Sequence, residues 1–215
     1  MEVDHIFIFS NTGDKEADSL IDFGLTEGSS RLHPGQGTTN RKFYFENFFL
    51  EILWVVNEKE IQSELTAPTK LWERSQFENN EHSPFGLCLV NDASTDQLFE
   101  SSKIYQPNYF PKGMSIDIIP NQEYPKLPWT FRLPYRGEKK PHTEPTGHAN
   151  QIELLTRVEF EMPTLNYGTK FVNYFQDVDL IEFTTGNRMH LTLEFDNIRQ
   201  GKSREFLELN LTIKY

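Results

Sequence analysis

Between Phe48 and Val56 a single carboxylate, Glu51, interrupts an otherwise apolar run, Phe48-Phe49-Leu50-Glu51-Ile52-Leu53-Trp54-Val55-Val56. A run of this length, rich in aromatic and aliphatic residues, reads as a buried strand. An isolated buried anion is strongly disfavoured, so Glu51 must be paired, protonated or metal-bound. The first segment, Val3-Asp4-His5-Ile6-Phe7-Ile8-Phe9, sets one histidine in a similar setting. An imidazole meets a carboxylate either directly or through a divalent metal. The chain is therefore expected to bring its first strand and residues 48–56 together.

The segments between support this. Glu2–Phe9 is expected to be a strand. A helix follows, with Asp14 as its N-cap, Ala17, Leu20 and Ile21 as its apolar stripe and Gly24 at its end. Gly28–Gly37 reads as a loop holding at most a short strand. Arg41–Phe45 and Phe48–Val56 read as strands joined by a two-residue turn at Glu46-Asn47. After a polar, partly helical connector at Asn57–Asn80, the same grammar returns. Phe85–Val90 is a strand, and Ser94-Thr95-Asp96-Gln97 has the pattern of a capping box opening a helix through Phe99. Tyr105–Phe110, Met114–Ile119 and Trp129–Leu133 are strands punctuated by prolines.

Beyond a charged turn at 137–141, Ile152–Met162, Met189–Phe195 and Leu207–Tyr215 alternate apolar and polar residues. They predict an antiparallel sheet with one wet face, which also reads as a degenerate third repeat. The expected organisation is a first βαβββ module at 1–56, a connector at 57–83, a second module at 84–135 and a β-rich extension at 136–215.

The balance of 21 basic and 32 acidic residues, a net charge of −11, disfavours nucleic acid and anionic membranes as partners. No apolar run approaches the ~20 residues of a membrane span, and no positively charged leader precedes an apolar stretch. A soluble, cytoplasmic protein is expected. Cys88, the lone cysteine, reads as a small core residue.

The early histidine in strand one, the loop His33-Pro34-Gly35-Gln36-Gly37-Thr38-Thr39-Asn40 and the strand Leu50-Glu51-Ile52-Leu53 occur in an order that resembles the glyoxalase-like branch of the vicinal-oxygen-chelate superfamily. The likeness continues through Pro84-Phe85-Gly86-Leu87 and Leu127-Pro128-Trp129, and beyond residue 150 is one of pattern. It implies an α+β fold in which paired βαβββ modules form a cup-shaped, mostly antiparallel sheet. It also implies a divalent metal held by the first and last strands of each module, and a lyase, isomerase or dioxygenase step. The matching metal positions are His5 and Glu51, and Glu51 is also the candidate proton shuttle. The second module offers Gly86 and roughly Arg132, neither a usable ligand, so the metal is either weakly held or absent.

Each site residue has a plainer reading. His5 and Glu51 form either a functional pair or a structural hydrogen bond. Asn40 either meets an oxygen-rich ligand at the cup rim or bonds its own loop. Arg132 pairs with Glu51, clamps an anionic ligand or is a solvated edge residue. His142 and His148 are solvated linker residues unless one folds back to complete the metal site. His82 and His190 are taken as surface residues, and Glu208 as a solvent-facing strand residue. The leading expectation is a glyoxalase-like protein that binds a small oxygenated organic molecule, with a non-enzymatic binder as its rival. A homodimer through a C-terminal edge strand is a third role consistent with the pattern.

Overall fold

The structure, a computed structural model, describes all residues except 12, 138, 140, 141 and 166. Most of the expected charged turn at 137–141 lies outside the described residues. The chain is α+β, with short helices and two mixed sheets of eight and five strands.

The larger sheet is built twice over by the same connectivity. Strand β1 (Val3–Phe9) leads through helix α1 (Lys15–Asp22) to β2 (Arg31–His33), β3 (Thr38–Tyr44) and β4 (Phe49–Val55). After the connector, with helices α2 (Glu58–Ile61) and α3 (Leu71–Ser75), comes β5 (Phe85–Asn91). It leads through α4 (Asp96–Phe99) to β6 (Lys103–Tyr105), β7 (Ile116–Ile119) and β8 (Trp129–Arg136). The strand order is β2-β3-β4-β1-β5-β8-β7-β6. In each half the first and last strands pair in parallel, β1 with β4 and β5 with β8, while β1 and β5 pair antiparallel at the centre.

Strand β1 is central and covered on both faces, which is why its apolar residues run on without alternation. Ile6 and Ile8 join the main core with Leu50, Ile52, Leu87 and Leu89. Phe7 and Phe9 point the other way into a smaller core with Leu53, Leu71 and Trp129.

Local differences from expectation have local causes. Gly24 does follow α1, at φ +105°. The capping box does not form: Thr95 precedes α4 without a side-chain cap, and the Ser94 hydroxyl bonds Asp92 instead. The strand expected at 105–110 ends at Tyr105. Pro107 and Pro111 cannot donate to a ladder, and Phe110 N–H closes a turn on the Pro107 carbonyl at 3.0 Å.

The extension holds β9 (Leu155–Met162), α5 (Lys170–Phe175), β10 (Ile181–Thr185), β11 (His190–Phe195), β12 (Ser203–Phe206) and β13 (Leu211–Lys214). Its sheet is mixed rather than antiparallel, since β9–β10 and β11–β13 are parallel pairs. Helix α5 carries the chain back across the sheet between β9 and β10, and that crossover forces parallel pairing. Nor is the extension one more βαβββ unit. Its strands β10-β9-β11-β13 repeat the parallel, antiparallel, parallel order of β4-β1-β5-β8, a shortened version of the paired arrangement. The alternation expected over 207–215 is broken by a 3₁₀ turn at Leu207–Leu209 and a left-handed Asn210, which leaves Leu207 63% exposed. The two sheets share the main core, and Asn47 fastens them, its side-chain amide exchanging two 2.9 Å hydrogen bonds with the Leu155 backbone.

Candidate functional site

Strand register places the site. On the face of the large sheet turned away from the main core, two neighbouring rungs cross four strands. One runs Phe49, His5, Cys88, Phe131, and the next runs Glu51, Phe7, Gly86, Trp129. Residues two apart on a strand share a face, so these side chains form one floor. Above it is a cavity of about 320 Å³, bounded on the first-module side by His33, Pro34 and Gln36 and on the other by Tyr109 and Phe110. The two rims touch: a Cβ on Gly35, whose φ is +83°, would come within 2.5 Å of Tyr109 Cβ.

His5 and Glu51 face this same space. Nε2 of His5 lies 3.8 Å from Oε2 of Glu51, and Nδ1 lies 2.6 Å from Asp4 Oδ2. The Asp4 contact fixes the ring and turns Nε2 toward the cavity, a role carboxylates often play for functional histidines. Burial acts to raise the Asp4 pKa, but the hydrogen bond and charge of His5, with Lys139 and His142, outweigh it and hold the carboxyl below its usual range. The His5 ring stacks on Phe49 at 4.4 Å and meets the Phe131 edge at 5.3 Å.

The other oxygen of Glu51 accepts a hydrogen bond from the Asn40 side-chain amide. Asn40 is buried, and its carbonyl oxygen accepts from Arg31 N–H at 2.7 Å. It therefore belongs to the floor of the site as a support for Glu51. His33 continues this network, with Nδ1 3.0 Å from Thr38 Oγ1 and Nε2 3.5 Å from the Asn40 amide nitrogen. Burial lowers the His33 pKa, against an opposing pull from the Glu51 charge.

The structure does not bring Arg132 to the cavity. Its guanidinium bonds Asp117 at 2.8 Å and Asp96 at 3.0 Å and lies over the Phe99 ring, on the helix side of the sheet. The cavity position in that strand belongs to Phe131, one residue earlier, and a one-residue offset reverses the face. His142 is exposed beside the Tyr44 ring. His148 is buried rather than solvated; its Nδ1 accepts from Thr26 N–H at 3.0 Å, and it packs on Phe45. His190 is also buried, 2.8 Å from the Thr212 hydroxyl, and His82 is half-buried. Glu208 is exposed, on the 3₁₀ turn rather than a strand.

Three contributors were not legible beforehand: Asp4, His33 as a partner of Asn40, and Trp129. The only signal for Asp4 was its place beside His5. Trp129 stood in the Leu127-Pro128-Trp129 stretch of the resemblance and in an expected strand, with no signal for a place in the site.

The donor set does not fit the metal site that the resemblance implies. Of the four positions expected to supply ligands, two are His5 and Glu51, while the second module sets Gly86 and Phe131 on the cavity face. A tightly held metal needs more protein ligands than two. Asp4, His5 and Cys88 also cluster, with candidate ligand atoms within 4.8 Å of one another. There, burial, with the charges of Asp4 and Glu51, pushes the Cys88 thiol well above its ordinary pKa.

These features define an α+β protein with an internally repeated sheet and one polar pair at the foot of an aromatic cavity. No family model matches the chain, and no curated protein matches it. Among solved structures it is similar to a hypothetical protein from Staphylococcus aureus, with a TM-score of 0.57 at 12% identity, over 99% of this chain and 98% of that one. The fold is therefore shared over the whole length, C-terminal sheet included. A hypothetical protein from Bacillus halodurans gives a TM-score of 0.38 at 15% identity, over 64% of this chain and 98% of that one. No helix among the described residues is long and apolar enough to cross a membrane.

Proposed function

We propose that this chain is a glyoxalase-like protein whose paired βαβββ modules form a cup, and that the cup binds a small oxygenated organic molecule without a resident metal. The observation that carries the reading is the approach of His5 Nε2 to Glu51 Oε2, 3.8 Å apart in a cavity of about 320 Å³. The volume lies at the lower end for small-molecule sites, whose pattern is an apolar lining with a few convergent polar groups. Glu51 accepts a hydroxyl or N–H of the ligand, and His5, held by Asp4, donates to or accepts from an adjacent oxygen. The buried, unpaired Cys88 suits a reducing compartment such as the cytoplasm.

The test is titration of the protein with phenols, aldehydes and carboxylates of one-ring size, followed by two-dimensional NMR. Shifts should cluster on β1, β4 and β8, and binding should weaken at least tenfold in His5→Ala and Glu51→Gln while Arg132→Ala leaves it unchanged. Unchanged affinity in both site variants, with reduced thermal stability, would make the pair a structural contact and defeat the reading. A second reading, proton transfer in a lyase- or isomerase-type step with Glu51 as acceptor, is favoured by the 2.6 Å Asp4–His5 bond, which poises the imidazole beside that carboxylate. Glu51→Gln would then abolish turnover of a bound ligand more severely than binding.

A further inference from the structure

We propose that the cavity takes a small carboxylic acid bearing a hydroxyl group, its carboxylate bound by Arg31 at the mouth and its hydroxyl donated to Glu51 at the floor. This rests on the small-molecule reading above and names the ligand class.

Arg31 lines the cavity, and strand register puts it there. It stands opposite Asn40, which lies two residues before Lys42, the partner of Glu51. Residues two apart on a strand share a face, so Arg31, Asn40 and Glu51 point to one side of the sheet. Asn40 ties the other two together: its carbonyl oxygen accepts Arg31 N–H at 2.7 Å and its amide donates to Glu51.

Among the described residues the Arg31 guanidinium pairs with no carboxylate, whereas Arg41, Arg132 and Arg136 each bind one. The acids of the neighbouring segments are engaged elsewhere. Both oxygens of Glu27 hold Arg41, Glu60 accepts Gly35 N–H at 2.7 Å, and Glu144 accepts Ser29 N–H at 2.9 Å. In a chain with 32 acidic and 21 basic residues, a cavity-lining arginine without an acid is a departure. A guanidinium matches the planar, two-oxygen geometry of a carboxylate, and Arg31 is exposed enough to receive one from solvent.

Glu51 fixes the other end. One of its oxygens is held by Asn40, and the other faces His5 at 3.8 Å, beyond hydrogen-bond range. A carboxylate only accepts, so that oxygen takes a donor and repels an anion. Arg31 and Glu51 therefore orient the ligand, acid outward and donor inward. Lys42 shares their face, its ammonium 5.5 Å from the Tyr44 ring centre and 5.8 Å from that of Phe49. A second cation beside Glu51 disfavours a ligand ammonium there and favours a neutral hydroxyl.

Arg31 and Glu51 are two strand spacings apart across the sheet and two residues apart along it, roughly 12 Å between Cα atoms. The cavity of about 320 Å³ suits a compact acid across that span, with Leu53, Leu71, Met114 and Ile116 beside the rings to cover its carbon skeleton.

Three probes that differ only in the group meant for Arg31 test this by NMR titration at neutral pH: 4-hydroxybenzoate, 4-hydroxybenzamide and 4-hydroxybenzylamine. The acid should bind best and the amine worst. Arg31→Gln should weaken the acid about fivefold, the upper worth of an exposed ion pair, and leave the amide unchanged. The unchanged amide also reports an intact site. Added salt should weaken the acid and spare the amide, and benzoate, without the hydroxyl, should bind more weakly than 4-hydroxybenzoate. An amide or amine that binds as tightly as the acid, equal losses of acid and amide in Arg31→Gln, or benzoate as tight as 4-hydroxybenzoate would overturn this inference while leaving the small-molecule reading standing. If no probe moves any cavity resonance at millimolar concentration, both fall.

Discussion

Gly86→Ala isolates the contact that replaces the second half of the expected ligand set. A Cβ at residue 86 would stand 2.0 Å from Phe7 Cε1 and 2.2 Å from Cζ, well inside van der Waals contact. The Phe7 ring cannot simply turn aside, because it is 3% exposed and wedged between Phe9 at 5.6 Å and Trp129 at 5.9 Å. Its escape is into the cavity. Overpacking of this kind costs about 1–3 kcal/mol, which in a chain of this length lowers Tm by roughly 3–10 °C. Alanine's lower unfolded-state entropy offsets only ~0.5–1 kcal/mol of that. Phe7→Ala alone should cost about 3–5 kcal/mol through its cavity. In the double variant the clash is gone, so its stability should exceed the additive value by nearly the whole Gly86→Ala penalty. Urea unfolding followed by circular dichroism measures all four corners of this cycle. An additive cycle, or a neutral Gly86→Ala, would refute the argument that the Phe7 ring owns the space above residue 86.

Two other outcomes follow from buried charge. Arg74 on α3 is fully buried and donates to the carbonyls of Ser83, Leu127 and Pro120 at 3.0, 3.0 and 2.9 Å; desolvation pushes its pKa down to about 9, which still leaves it charged. Arg74→Met should lose about 2–4 kcal/mol in chemical denaturation, since three carbonyls lose a charged donor while one desolvation cost is relieved, and should loosen the helix that carries Leu71 to the cavity wall. Equal stability of variant and parent would contradict that role. Burial lowers the pKa of His33, His82, His148 and His190, so the unfolded chain takes up protons first. Stability should be flat above about pH 6.5 and fall as pH drops from there toward the folded-state values. His148→Gln, which keeps an acceptor for Thr26 N–H, should flatten that slope, and stability that rises between pH 7.5 and 5.5 would contradict the sign.

What was legible in the sequence was local. Period-two alternation, turn residues and proline placement located most strands, because they act over a few residues. The two strand–helix–strand units could be read for the same reason. Glu51 identified itself because an anion in an apolar run has to be answered, and His5 was the only histidine in a comparable setting.

Which face each side chain takes was decided by tertiary pairing. Propensity cannot resolve a single residue along a strand and leaves Arg132 and Phe131 equally able to face the site, whereas the β5–β8 register sets Phe131 beside Cys88 on the cavity floor and sends Arg132 to Asp96 and Asp117. His148 read as solvated because its neighbours in sequence are polar; its real neighbours, Thr26 and Phe45, are more than 100 residues away in the chain. The unmet indole of Trp129 is likewise invisible in sequence. Hydrogen-bond satisfaction depends on which groups come within about 3 Å, and in a sheet whose central strands come from the two halves of a repeat, that is settled only when the halves pair.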